Sequence, residues 1–204
     1  ENWGLSPERH GLSPAVPGLG GGRPFANEPH RDFSRQDQRQ RFAEAIRAAA
    51  VPAVEQRVKA EDAENAVARA VAAFPGWRDT PAQCRAEILL EAAKALRSSR
   101  DALAGIVIRE SGKTWSEADA DVCEAIDFAE YYARCAVELF EPRRLGRFVG
   151  EFNEVWHQPR GVAVVISPWN FPLAILAGMS LAALATGNAA IGYHRPVPNL
   201  RIRQ

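Results

Sequence analysis

Val162-Ala163-Val164-Val165-Ile166, followed by Ser167-Pro168-Trp169-Asn170-Phe171-Pro172, decides the fold. The first five residues are a continuous apolar run, β-branched at four of five positions. That is the pattern of a strand buried on both faces. Two prolines stiffen the segment that follows, and Asn170 offers an amide donor from a restrained backbone. From Pro172 to about Thr186 the chain is apolar nearly all round, which predicts a buried helix, and Gly187 stands where a helix usually closes. Strand, tight loop and buried helix make the first half of a βαβ unit. A parallel sheet needs at least one more strand, for which only Ala189-Ala190-Ile191 is available. The fold class is therefore α/β, with the α/β domain begun and not finished. Open α/β sheets bind ligands at the carboxyl ends of their strands, where this loop falls. Spacing alone leaves open a structural loop whose Trp169 and Phe171 pack in a core.

Upstream of the strand, Pro159-Arg160-Gly161 reads as a turn. Arg147 to Gln158 alternates imperfectly and carries Phe148, Val149, Phe152, Val155 and Trp156, which suits a β-ribbon over about 143–158. Arg143, Arg144 and Arg147 read as its solvated edge. Before the ribbon the chain is almost wholly helical. Ser34 with Asp37 resembles a capping box, and a helix follows through Arg41, Phe42, Ile46 and Ala50 until Pro52. A short extended piece around Val54–Val58 leads to Glu61-Asp62-Ala63-Glu64, whose carboxylates suit a helix N-terminus. That helix places Val67, Ala70, Val71 and Phe74 on one face and ends at Pro75-Gly76. The next starts with Thr80 as N-cap and Pro81 in the first turn, and Ile88, Leu89, Ala92 and Leu96 line one side. Another runs from about Asp101 through Leu103, Ile106 and Val107 to Gly112. Ser116 with Asp119 marks a further start, and Val122, Ile126, Ala129 and Ala133 give its apolar stripe as far as Phe140. Residues 1–33 are rich in Pro and Gly, with Gly18-Leu19-Gly20-Gly21-Gly22 at the centre. They read as a linker or flexible arm, because such a composition buries little.

Lys plus Arg equals Asp plus Glu at 25 each, so no net field draws nucleic acid or an anionic membrane. No run of about 18 apolar residues is present, which argues against a membrane span. Three cysteines without an export signal point to a reduced cytoplasmic setting. Cys84, Cys123 and Cys135 read as partly buried helix residues, and the four scattered histidines give no metal site. The glycine run lacks the strand-before, helix-after context of a phosphate loop.

The segment Pro159 to Pro172 resembles the signature loop of the aldehyde dehydrogenase superfamily, and the likeness continues through Ala183-Leu184-Ala185-Thr186-Gly187-Asn188. Glu110-Ser111-Gly112-Lys113-Thr114 is similar to the family's glutamate-glycine-lysine segment. Glu117–Val122, then Glu124-Ala125-Ile126-Asp127-Phe128 with Tyr131-Tyr132, resembles the Δ1-pyrroline-5-carboxylate (L-glutamate γ-semialdehyde) dehydrogenase branch. Asn27-Glu28-Pro29 with Asp32-Phe33-Ser34 resembles the entry to that module in bifunctional proline-utilisation proteins. The likeness covers about Phe25 to Ala190. It implies the N-terminal part of the aldehyde dehydrogenase fold over 34–190, namely helices, a β-ribbon that joins subunits, and an incomplete Rossmann-like NAD domain. It also implies NAD-dependent oxidation of glutamate semialdehyde to glutamate in proline breakdown, through a thiolate adduct that a glutamate-activated water resolves. Position by position, Ile166, Ser167, Pro168 and Trp169 match neighbours of NAD. Asn170 matches the amide that stabilises the developing oxyanion, Phe171 an aromatic wall of the aldehyde pocket, and Glu124 a carboxylate at its mouth. For Glu124 a solvated helix carboxylate is the competing reading.

Two departures stand out. The family's nucleophilic cysteine and general-base glutamate are expected downstream of this chain, so the chain by itself is expected to be inactive. Where a lysine should contact the adenosine ribose, position 193 is Tyr, and 191–204 is expected to be a non-family tail with the composition of an out-of-frame reading. The implied partners are a small aldehyde and, in the complete protein, further copies of the chain, with no nucleic acid and no membrane span. Competing readings are a non-catalytic truncated subunit or interaction module, a helical regulatory or nucleic-acid-binding domain over 34–140, and a dehydrogenase for another aldehyde.

Overall fold

Val122, Ile126, Ala129 and Ala133 recur at helical spacing, and all four are fully buried in the longest helix of the computed structural model, which describes residues 16–51 and 59–194. The helices are α1 (Gln36–Ala48), α2 (Ala60–Arg78), α3 (Ala82–Ser98), α4 (Arg100–Ser111), α5 (Trp115–Leu139) and α6 (Ala174–Ala185). The strands are β1 (Arg143–Arg144), β2 (Glu154–Val155), β3 (Val162–Ser167) and β4 (Ala189–His194). Helix α5 is the spine: α3, α4 and α6 all pack on it, and α1 packs on α4. Strands β1 and β2 pair antiparallel, Arg143 opposite Val155, and form the expected ribbon. Strands β3 and β4 pair parallel with α6 as the crossover, Val162 opposite Ala189 and Ser167 opposite His194. The second strand thus runs six residues, past the boundary expected at 190.

Several local readings need correction. The first helix is preceded by Arg35, because Ser34 donates its hydroxyl and its N–H to Asp32 Oδ1 (2.6 and 2.9 Å) in a local turn. Helix α2 continues through Pro75-Gly76, and Asp79 N–H bonds the Pro75 carbonyl (3.1 Å). Its Val67 and Val71 face outward, while Ala66, Ala70, Phe74 and Trp77 are half-buried. Thr80 lies one residue before the α3 N-cap, Pro81, and turns its hydroxyl back to the Gly76 carbonyl (2.8 Å). In α3 Leu89 is buried but Ile88 is exposed; the buried face is Arg85, Ala86, Leu89, Leu90 and Ala93. Helix α5 is capped by Thr114 with Glu117, whose side chain accepts from Thr114 N–H (3.0 Å), rather than by Ser116 with Asp119. Strand β3 is covered on one face only: Val165 is buried, whereas Val164 and Ile166 are 58% and 67% exposed. The expected extended piece at 54–58 lies outside the described residues.

Two glycines are dictated by space. Gly178 of α6 lies against Phe128 of α5, where a Cβ would stand 2.6 Å from the ring. Gly187 has φ +77°, and its Cβ would meet Pro159 Cγ at 2.7 Å. Beside it, Asn188 Oδ1 accepts from Arg160 N–H and Gly161 N–H (2.6 and 3.0 Å), tying the turn after α6 to the turn before β3.

The described part of the N-terminal arm, 16–33, is docked rather than loose. Leu19 is fully buried in the core, and Phe25 packs edge-on against Tyr131 (5.2 Å between centroids). Asn27 and the Glu28 N–H both donate to Asp127 (2.7 and 2.6 Å). Arg31 N–H donates to Asp119 (2.8 Å), a residue 1% exposed that also takes two bonds from Arg100 (2.9 and 2.7 Å). Gly and Pro composition speaks to how little such a segment buries of itself. It is silent on the carboxylates that a partner helix presents to its backbone. Burial alone pushes the Asp119 carboxyl up, but the bonds from Arg100 and from the Arg31 N–H, with both guanidinium charges, outweigh it and hold the group below the usual range. Its contribution to stability is therefore complete above the unfolded value of about 4 and is lost as pH falls through the lower folded value. Asp119→Ala should cost about 3–5 kcal/mol in urea unfolding at pH 7, since it removes the buried partner of the Arg100 guanidinium and of the Arg31 N–H. Asp119→Asn should flatten the acid limb of the stability curve, and a limb identical to that of the parent would show that Asp119 does not set it.

Candidate active site

Strand β3 delivers its end into the loop Pro168–Leu173, and α6 begins directly after it. Ile166, Pro168, Trp169, Asn170 and Phe171 are all exposed there, Trp169 at 53% and Phe171 at 40%. Ser167 differs. It is 4% exposed, and its hydroxyl is buried without a hydrogen-bond partner among the described residues. Alternation along the strand explains the difference, because Val165 and Ser167 face the covered side while Ile166 faces out. Tyr193 of β4 stands opposite Ile166 in the parallel register and is 46% exposed. The carboxyl end of the sheet therefore presents apolar and aromatic surface beside an amide. The Asn170 side chain is exposed, and its carboxamide makes no hydrogen bond among the described residues.

The loop is gripped from α5. Asp121, fully buried, accepts the Ala174 N–H of the first turn of α6 (2.7 Å). Its other oxygen takes Lys113 Nζ (3.0 Å), and the same ammonium stands 4.0 Å from the centroid of the Phe171 ring. Lys113 is held in turn by the stop of α4, where Gly112 adopts φ +70°. Glu124 is exposed one helical turn beyond Asp121 on the same side of α5. Next along that side, Phe128 stacks on Tyr132 (5.5 Å) and packs against Gly178. At the far end of α6, Arg85 donates through Nε to the Ala185 carbonyl (3.2 Å), and Trp77 Nε1 donates to the Leu184 carbonyl (3.0 Å). Both ends of the helix that carries the loop are thus tied down.

The model of the aldehyde dehydrogenase family matches residues 35–193. The chain belongs to that family. It is 37% identical over 201 residues to a 1-pyrroline-5-carboxylate dehydrogenase of Anoxybacillus flavithermus, covering 83% of this chain and 39% of the relative. It is 46% identical over 131 residues to the protein of that name from a Geobacillus species, covering 64% of this chain and 25% of the relative. Among solved structures, 1-pyrroline-5-carboxylate dehydrogenase from Thermus with bound NAD superposes with a TM-score of 0.76 at 34% identity, covering 83% of this chain and 39% of that one. Proline utilization A from Bdellovibrio bacteriovorus superposes with a TM-score of 0.76 at 33% identity, covering 89% of this chain and 22% of that one. The chain spans about two fifths of the length of the curated relative it matches over most of its own length. The family match runs to 193, three residues past the boundary expected at 190.

The resemblance implies a thiolate near this loop, and Cys84, Cys123 and Cys135 all lie elsewhere. Cys123 follows Asp121 by two positions and so points to the other side of α5, where its thiol faces the Pro29 carbonyl at 4.0 Å. Burial pushes that thiol up to about 12. Cys135 lies about 21 Å further along α5 than Asp121, at 1.5 Å per residue, and burial raises its thiol too. Cys84 adjoins Arg85, which reaches the end of α6 opposite the loop. The sequence reading singled out Asn170, Phe171 and Glu124 but gave no role to Lys113 or Asp121. A lysine just after a helix-closing glycine and a carboxylate two turns later was the available signal. With Ellman's reagent at pH 8, exposed Cys84 should react first, and Cys123 should stay silent until denaturant is added. Reaction of all three thiols in the native protein at one rate would contradict this burial.

Proposed function

We propose that this chain forms the N-terminal part of a cytoplasmic, NAD-dependent L-glutamate γ-semialdehyde dehydrogenase of proline catabolism, active as a homo-oligomer and independent of nucleic acid. The observation that carries the reading is the strand-end loop: an exposed Asn170 carboxamide beside an exposed aromatic wall, in a chain whose relatives are 1-pyrroline-5-carboxylate dehydrogenases. In the net reaction the aldehyde carbon gives up a hydride and gains the oxygen of water, leaving the carboxylate and two protons. NAD, when bound, accepts the hydride. Ile166, Pro168 and Trp169 fit such a cofactor, since they offer exposed apolar surface at the carboxyl end of a parallel sheet. The buried Ser167 would contribute backbone there rather than its hydroxyl. Asn170 would donate to the aldehyde oxygen as it takes on charge, Phe171 would wall the aldehyde chain, and Glu124 would stand at the mouth. The thiolate has to come from outside this chain.

The exposed ribbon favours a second reading, in which the chain serves as an interaction module. Phe148, Phe152 and Trp156 are 66%, 69% and 58% exposed, and they line one open cavity of about 630 Å³ with Leu145. That surface suits pairing with an intact subunit.

A chimera tests the first reading. Residues 16–193 replace the corresponding segment of the Anoxybacillus flavithermus protein, and NADH formation is followed. The chimera should oxidise glutamate semialdehyde in preference to simple aliphatic aldehydes. In it, Asn170→Ala should lower kcat by about 10²–10³-fold, with little change in KM. A folded chimera that prefers aliphatic aldehydes would refute the substrate assignment, and an unchanged kcat would refute the role of Asn170.

A further inference from the structure

Phe171 and the first N–H of α6 are held by one ion pair. Asp121 is fully buried, an arrangement tolerated only where a carboxylate is paired and hydrogen-bonded. It spends one oxygen on Ala174 N–H at 2.7 Å and the other on Lys113 Nζ at 3.0 Å. The Lys113 ammonium, with its side chain only 14% exposed, then sits 4.0 Å from the Phe171 ring centroid. Residues 171 and 174 flank the turn into α6, so the pair fixes the loop at its aromatic wall and at the helix start together. Asn170 lies between this clamp and the paired strand β3.

We propose that Lys113 and Asp121 are positioning residues for the aldehyde site: Asp121 sets where Asn170 and α6 begin, and Lys113 sets the tilt of the Phe171 ring. The inference rests on the assignment of Asn170 and Phe171 to the substrate site. The two members of the pair have different consequences. Loss of the ammonium frees the ring and loosens the aldehyde pocket, while Asp121 still holds the Ala174 amide. Loss of the carboxylate releases the helix start as well, and with it the amide of Asn170. A cation on the ring face is the essential feature of the first contact, so arginine can replace lysine where methionine cannot.

Two measurements test this. In the chain as it stands, hydrogen exchange of the Ala174 amide reports the clamp without reference to activity: Asp121→Ala should speed it at least tenfold, whereas Asp121→Asn, which keeps an acceptor, should change it less. In the chimera, Lys113→Met should raise the KM for glutamate semialdehyde about tenfold with kcat and the KM for NAD little altered, and Lys113→Arg should restore it. Asp121→Ala should lower kcat on the order of 10²-fold, the cost of a misplaced reacting geometry. Unchanged Ala174 exchange in Asp121→Ala overturns the clamp. A folded Lys113→Met chimera with the parent KM, or a Lys113→Arg chimera no better than Lys113→Met, overturns the role of Lys113. If the unsubstituted chimera does not oxidise the semialdehyde, the functional assignment fails while the exchange result still decides the clamp.

Discussion

Two carboxylates, two residues apart on α5, hold this structure together in opposite directions. At 3.6 residues per turn, Asp119 and Asp121 project to nearly opposite sides of the helix. Both are essentially absent from the surface. A bare carboxylate in that position costs several kcal/mol, so each persists only by what it meets. Asp119 meets Arg100 and the Arg31 backbone, and Asp121 meets Lys113 and the Ala174 backbone. The N-terminal arm and the loop after β3 are far apart in sequence, yet both are referenced to the rotation of one helix. Any change that turns α5 about its axis would move both.

Helix α6 is where that reference becomes useful. Its start is fixed by Asp121, its middle by the close approach of Gly178 to Phe128, and its end by Arg85 and Trp77. The turn beyond it is pinned to the turn before β3 by Asn188. The loop Pro168–Leu173 therefore spans two rigid anchors, a paired strand end and a tethered helix start. In the role proposed for Asn170, a donor is effective only when it is aimed before charge develops, and a loop held at both ends supplies that aim. The open amide and the crowded scaffold beneath it are two sides of one arrangement.

How much of this could be read in advance depended on whether the signal was local. The α5 stripe at 122, 126, 129 and 133, the strand at 162–166 and the closing glycine at 187 are periodic or conformational signals, and the structure follows them. The order of the arm at 16–33 comes from carboxylates 88 and 99 residues away, Asp119 and Asp127, which no composition can register. The outward turn of Val67 and Val71 has a related cause: Trp77, reaching the α6 carbonyl, selects which face of α2 points in. At the site, the loop residues Asn170 and Phe171 stood out by their own sequence and by family resemblance. Lys113 and Asp121 fall in segments that share the resemblance but carry no assigned role there, because that role arises only when α4, α5 and α6 converge.

The half-covered strand makes a related point about energetics. A run of β-branched residues calls for burial on two faces, and β3 has burial on one, with Val164 and Ile166 open. Two parallel strands alone are marginal, so the pair β3–β4 depends on α6 and α2 packed against it. The side facing away gains nothing from those helices. Its apolar residues raise the stability of the sheet only to the extent that another layer covers them. The same residues, Ile166 above all, border the loop that carries Asn170. A layer laid over Val164 and Ile166 would therefore also bear on the loop that carries Asn170.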